Sequence, residues 1–352
     1  MIWPENPSLD VMIAQMVMVG FRGLTLTADN PIVEDVRERQ IGGVFLFDYD
    51  MPTASYGRNI QSPDQLRALT ADLQNLAAFP LLIAIDQEGG RVARLKESAG
   101  FPASVSAQQL GAADDLVQTR QHAEQTAALL AELGVNLNLA PVVDVNLNPQ
   151  NPVIGKLERS FSADPAVVTR HALEVLGAFH RHSVLGTLKH FPGHGSSTGD
   201  SHLGFTDVTD TWSPAELEPY REIIATGQAD VVMTAHTFNA KLDPVYPATL
   251  SKPIVTGLLR GELAYDGVVM SDDLQMGAIG RYYGFETALR LAVEAGVDIL
   301  ALANNLDYAP ELAPRAIAVV KHLVQDGTVS EARIAQSYAR IRQLKNRLST
   351  AD

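Results

Sequence analysis

The chain has 352 residues, 46% hydrophobic and 19% charged, which is ample apolar material for a large buried core. A net charge of −14 with no lysine- or arginine-rich block argues against nucleic-acid binding. The absence of cysteine excludes disulfides, thiol chemistry and cysteine-ligated zinc.

The opening stretch MIWPENPSLDVMIAQMVMVGF lacks the basic-then-apolar layout of an export signal, because Asp10 and Gln15 interrupt it. No apolar run is long enough to span a bilayer. A cytoplasmic chain with no membrane partner is the expectation. From there, short β-rich runs alternate with helical patterns. The expected strands are Val17–Phe21, Gly43–Phe47, Leu81–Asp86, Val135–Ala140, Gly186–His190, Asp230–His236, Gly267–Ser271 and Val297–Ala301. They are nearly continuous in Val, Ile, Leu and Met, as strands covered on both faces should be.

Between them, Ser62-Pro63, Asp164-Pro165 and Ser213-Pro214 each place a capping residue before a proline suited to a first helical turn. Residues 165–180 carry apolar side chains at helical spacing, and Gly227 and Gly327 read as helix stops. The stretch from Asp307 to Leu348 reads as two helices, with Ile334, Tyr338, Ile341 and Leu344 on one face. Eight strands alternating with helices favour a closed (β/α)₈ TIM-type barrel over a doubly wound sheet. No linker or repeat marks a boundary, so residues 1–352 are expected to form a single domain.

A barrel of this kind gathers its chemistry at the C-terminal ends of its strands. Those ends carry Asp86, Asp144, Lys189-His190, His236, Ser271-Asp272-Asp273 and Asn304-Asn305. Burying an unpaired charge is costly, so their recurrence points to a shared cavity rather than to scattered caps. After Lys189 and His190 runs the glycine-rich loop Phe191-Pro192-Gly193-His194-Gly195-Ser196-Ser197-Thr198-Gly199, ending in Asp200-Ser201-His202. A carboxylate two residues from an imidazole can orient the ring and raise its basicity; a solvated turn with an incidental Asp–His contact is the plainer alternative. His190, His194, Asp200, His202 and His236 offer possible metal ligands, but no H-x-H or H-E-x-x-H spacing appears. At Ser271-Asp272-Asp273 a buried strand ends in two adjacent acids. Neighbouring side chains on an extended chain point to opposite sides, so one acid should face the cavity while the other braces the loop. In Asp86-Gln87-Glu88-Gly89-Gly90-Arg91-Val92-Ala93-Arg94, an acid, a Gly-Gly turn and two arginines suit recognition of several hydroxyls, and no phosphate-binding glycine motif is present.

The segments IDQEGGRVAR, KHFPGHG followed by Asp-Ser-His, and VVMSDD-L-x-M together resemble glycoside hydrolase family 3, in particular its single-domain NagZ-type β-N-acetylglucosaminidases. The resemblance runs in order from about Met16 to Leu302. It implies Asp272 as the nucleophile that forms a covalent glycosyl-enzyme and His202 as the acid/base, with Asp200 as its partner. It further implies that Asp86, Arg94, Arg159, Lys189 and His190 hold the terminal sugar, with no metal or other cofactor. Ile154-Gly155-Lys156-Leu157-Glu158-Arg159-Ser160-Phe161 is longer than the compact I-G-x-R-x-F pattern of the family. Leu203-Gly204-Phe205-Thr206-Asp207 replaces the more charged stretch of the peptidoglycan-recycling members.

The chemistry implied is coherent. Breaking a glycosidic bond requires a proton for the leaving oxygen and stabilisation of an oxocarbenium-like transition state, and a nucleophilic carboxylate gives retention. Imidazole, with an ordinary pKa of about 6.5, both donates and accepts near neutrality. The expected partner is an oligosaccharide or a muropeptide. A family 3 enzyme for β-glucose or β-xylose, a metal-dependent barrel hydrolase and a non-catalytic carbohydrate-binding protein are the rival readings. The placement of His202 on a flexible loop predicts closure of that loop before reaction.

Overall fold

The computed structural model describes residues 3–4 and 6–349; Met1, Ile2, Glu5 and the last three residues of the expected 1–352 domain lie outside the described residues. The apolar runs form eight strands: β1 Val17–Gly20, β2 Gly43–Leu46, β3 Leu82–Ile85, β4 Leu137–Asn138, β5 Leu185–Phe191, β6 Val231–Thr234, β7 Val268–Ser271 and β8 Leu300–Leu302. Each pairs in parallel with its successor from β1 to β7, and β8 returns to β1 with Val17 opposite Leu300. A bridge between Met270 and Ile299 closes the last seam, reinforced by the Ser271 N–H donating to the Ile299 carbonyl at 3.0 Å. A ring without edges is the expected barrel and not a doubly wound sheet.

β4 and β8 are shorter than their sequences suggest, for a shared reason. Polar side chains take over rungs of the ladder: Asn136 and Asn138 accept the N–H groups of Ile83 and Gln87 at 2.8 and 3.0 Å. The Asp298 carboxylate accepts that of Val269 at 3.0 Å. Backbone polarity is satisfied without regular strand geometry. Beyond β4, Pro141 has no N–H to donate.

The proline-led helices begin where the caps place them. Ser62 accepts the Gln65 N–H ahead of Pro63–Leu76, and Asp164 accepts the Ala166 N–H ahead of Pro165–Arg181. Ser213 also caps, but a 3₁₀ turn, Pro214–Leu217, precedes the helix Glu218–Ala225. Pro219 has no N–H to return to the Ala215 carbonyl, so the first turn cannot make α-type bonds. The C-terminal region forms the two expected helices, Leu312–Gln325 and Glu331–Asn346, with Ile334, Tyr338, Ile341 and Leu344 buried. One continuous apolar core runs from Met12 to Leu344. Among the described residues no helix is long and apolar enough to cross a membrane.

Candidate active site

The C-terminal ends of the strands surround a cavity of about 340 Å³. Seven of the eight site residues read from the sequence line it: Asp86, Arg94, Arg159, Lys189, His190, His202 and Asp272. The eighth, Asp200, stands behind His202 as its hydrogen-bond partner. His194 and His236, weighed as metal ligands, are buried and engaged elsewhere. His194 bonds Ser197 and Ser201, while His236 bonds Thr249 and donates from Nε2 to the Asp273 carbonyl at 2.9 Å. Among the described residues no group of three His, Cys, Asp or Glu side chains is arranged to hold a metal ion.

One wall is an interlocked set of cations and carboxylates. Lys189 Nζ donates to Asp86 Oδ1 at 2.8 Å and reaches Glu88 Oε1 at 2.7 Å. Arg159 grips Glu88 through two parallel bonds of 2.8 and 2.7 Å, and Arg94 meets Asp86 at 3.1 Å. Burial by itself would neutralise all of these groups. For Asp86, Lys189 and Arg94 outweigh it and hold the carboxyl far below the usual range; for Glu88, Arg159 and Lys189 outweigh it and lower the pKa. Burial likewise opposes the charge on Lys189, yet its two carboxylates raise its pKa, and Glu88 raises that of Arg159. The wall therefore stays charged and fixed, with donors and acceptors suited to sugar hydroxyls.

His190 is aimed from behind by buried Asp144, whose Oδ2 accepts from Nδ1 at 2.7 Å. Asp144 Oδ1 accepts the backbone N–H groups of His190 and His194 at 3.1 and 2.8 Å, tying the end of β5 to the start of the loop. The longer segment before Arg159 folds as a turn: the Arg159 N–H returns to the Ile154 carbonyl at 3.1 Å, and Glu158 takes φ +59°. The extra length is absorbed there, and the guanidinium still reaches the cavity wall.

The two acids after β7 both border the cavity, where alternation predicts one, and differ in their hydrogen bonds. Asp273 Oδ1 accepts the N–H groups of Ala303 and Gln275 at 3.0 and 3.1 Å, joining the loop to the end of β8. Burial pushes its carboxyl up to about 7. Among the described residues Asp272 accepts one hydrogen bond, from the Asp273 N–H at 2.8 Å, and otherwise borders the cavity. Burial acts to raise its pKa, but His236, His190 and His202 outweigh it and keep the carboxylate ionised.

Opposite this floor, His202 Nδ1 donates to Asp200 Oδ1 at 2.8 Å, which leaves Nε2 for the cavity. The loop is docked. The carbonyls of His202 and Ser201 accept from the N–H groups of Gly277 and Ala278, both at 3.2 Å, at the start of helix Gly277–Tyr283. A Cβ on Gly277 would lie 2.8 Å from the His202 carbonyl, so only glycine admits this contact. At the loop's base a Cβ on Gly195 would lie 1.7 Å from the Val145 carbonyl. Gly195 and Gly277 therefore serve close approach.

Glu88, Asp144 and Glu216 escaped the sequence reading as site residues. Glu88 follows Asp86 by two on an extended chain, so period-two alternation puts both on one side and could have identified it. Asp144 stood among the strand-end acids, but its partner comes from the next strand. Glu216 accepts the Gly195 N–H at 2.8 Å from across a fold that no spacing reveals.

A parallel barrel with carboxylates, cations and an oriented imidazole gathered at its strand ends has the parts of a catalytic site, and sequence comparison identifies the family. Residues 8–344 match the glycosyl hydrolase family 3 N-terminal domain, and the chain belongs to this family. It is 36% identical to beta-hexosaminidase A of Pseudoalteromonas piscicida over 93% of this chain and 57% of that one. It is 35% identical to a beta-hexosaminidase of Alkalilimnicola ehrlichii over 94% and 90%. A family 3 β-N-acetylglucosaminidase from Paenibacillus sp. superposes with a TM-score of 0.88 at 38% identity, covering 98% of this chain and 63% of that one. The chain thus spans less than two thirds of the Pseudoalteromonas and Paenibacillus proteins.

Proposed function

We propose that this protein is a retaining exo-β-N-acetylhexosaminidase in which one barrel domain carries the whole reaction. The observation that supports this best is that Asp272, on the floor, and His202, on the docked loop, line the same cavity. The wall of Asp86, Arg94, Arg159, Lys189 and His190 would bind the hydroxyls of the terminal sugar. In the first step an Asp272 oxygen bonds to the anomeric carbon as the glycosidic C–O bond breaks, and protonated His202 gives its Nε2 proton to the leaving oxygen. In the second, neutral His202 takes a proton from water, the hydroxide bonds to the anomeric carbon, and Asp272 leaves as carboxylate. Asp200 orients the ring through the bond to Nδ1. Chitin-derived oligosaccharides and cell-wall muropeptides are the substrates of this class that carry a terminal β-GlcNAc.

Mass spectrometry after reaction with a 5-fluoro-GlcNAc donor tests the assignment. Asp272 should carry the label; a label elsewhere, or none, would remove it from the role. Hydrolysis of nitrophenyl-β-GlcNAc should exceed that of nitrophenyl-β-glucoside by well over tenfold, and the reverse preference would move the protein to the neutral-sugar branch.

A further inference from the structure

We infer that a second cavity, behind the wall of cations and carboxylates, binds a compact neutral molecule with one hydrogen-bond acceptor, and that Arg159 transmits its presence to the sugar cavity. The site goes beyond the hydrolase reading; only its effect on the sugar rests on that reading. The cavity measures about 100 Å³ and lies between helix Leu116–Glu132 and the residues that follow β4. Exposed Pro102, Ala103 and Gln125 mark its mouth. The buried side chains of Glu88 and Arg159 mark its inner end. Arg159 borders both cavities, so the sugar lies on the other side of the same guanidinium.

The lining sets the chemistry of the occupant. Leu110, Ala123, Val142, Phe161 and Phe179 are buried and supply apolar walls. A cavity of roughly 150 Å³ accommodates benzene, so this one suits a ring of about five or six heavy atoms. Besides half-buried His122, the titratable groups of the lining are Glu88 and Arg159. These two already compensate each other through bonds of 2.8 and 2.7 Å. A charged ligand would shed its hydration without gaining a partner. One donor is left over. Gln87 borders this cavity and not the sugar cavity, and is only 5% exposed. Its Oε1 accepts the N–H groups of Arg94 and Leu95, both at 3.0 Å, which fixes the orientation of the amide. Its Nε2 donates to no group among the described residues, and a buried donor without an acceptor is costly. A carbonyl or ether oxygen on the occupant answers it. An occupant packed behind Arg159 restricts the guanidinium that the sugar meets in front, and such coupling is reciprocal.

Cyclopentanone is the probe, with cyclopentane and pyrrolidinium as controls. In an NMR titration of the whole protein, the ketone should shift the Ala123 and Val142 methyl signals. The Gln87 side-chain amide signal should move with the ketone and stay in place with cyclopentane, which has no acceptor. Pyrrolidinium should move none of them. Ala123→Leu fills the cavity and should weaken ketone binding at least about tenfold. Ala107→Val, from helix Ala107–Ala113, is the second filling variant should the first fold poorly. The ketone and GlcNAc should change each other's affinity by the same factor, about twofold or more, in the wild type. The inference is overturned by no ketone-dependent shift, by equal affinity in the filled variants, by an unmoved Gln87 amide, or by independent binding of ketone and sugar. GlcNAc failing to bind at all would instead refute the sugar site and leave the ketone titration to stand.

Discussion

The floor and the lid of the cavity are built on opposite principles. On the floor and its wall the charged groups project from strand ends or, for Arg94 and Arg159, from the loops that follow, are mostly buried, and are locked by partners at 2.7–3.1 Å. On the lid, His202 keeps 53% of its side chain exposed and is held by one carboxylate two residues away and by a loop pinned at a helix start. In the proposed reaction the floor must place a sugar within a fraction of an ångström, which strand-mounted groups do at little reorganisation cost. The lid must admit a substrate, exchange a proton with water and release a product. It is therefore built from the part of the fold that opens most cheaply.

The contrast breaks first if the floor tolerates change. Asp272→Ala should lower turnover by at least about a thousandfold while GlcNAc still binds, because the lost group forms a bond rather than a contact. Calorimetric titration with GlcNAc alongside kinetics separates the two effects, and turnover near wild type would dismiss the floor as the seat of the reaction. Lys189→Met should cost about 3 kcal/mol of stability, since it leaves buried Asp86 with Arg94 alone and buried Glu88 with Arg159 alone. Denaturant unfolding measures this directly. A loss under 1 kcal/mol would mean that the wall is less coupled than its distances indicate.

The lid should respond to leaving-group chemistry instead. His202→Ala is expected to slow chitobiose cleavage about a hundredfold but nitrophenyl-GlcNAc only a few-fold, because nitrophenolate departs with little protonation. Equal losses on the two substrates would show that the ring positions the sugar and does not supply a proton.

The same division governed what could be read from the sequence. The barrel was legible because its eight apolar runs are long and regular, and the floor because strand ends follow once the strands are placed. That one of Asp272 and Asp273 braces the loop needed only the alternation of an extended chain, though both border the cavity. The lid was legible as residues, in Asp200 and His202, but not as an arrangement. Its seat on Gly277 and Ala278 joins segments about 75 positions apart through backbone atoms, which have no signature in side-chain identity. The shortened β4 and β8 escaped for a related reason: Asn136, Asn138 and Asp298 imitate backbone rungs, and polarity alone does not announce which partner they take.

The boundary between the two regions supplies the smallest and sharpest test. Glu216 is fully buried, accepts the Gly195 N–H at the root of the lid, and has its other oxygen without a hydrogen-bond partner among the described residues. Burial pushes its carboxyl up to about 7. A folded-state pKa raised above the unfolded value means that the native protein retains a proton which the unfolded chain releases at lower pH. The stability this contributes is complete below about 4.5, the carboxyl's unperturbed value, and is lost as pH rises through about 7. Glu216→Gln keeps an oxygen to accept from Gly195 and cannot ionise. It should melt a few degrees above wild type at pH 8 and within a degree of it at pH 5. If the difference between the two proteins stays the same from pH 5 to pH 8, Glu216 is already ionised in the native state, and the root of the lid belongs electrostatically with the charged floor.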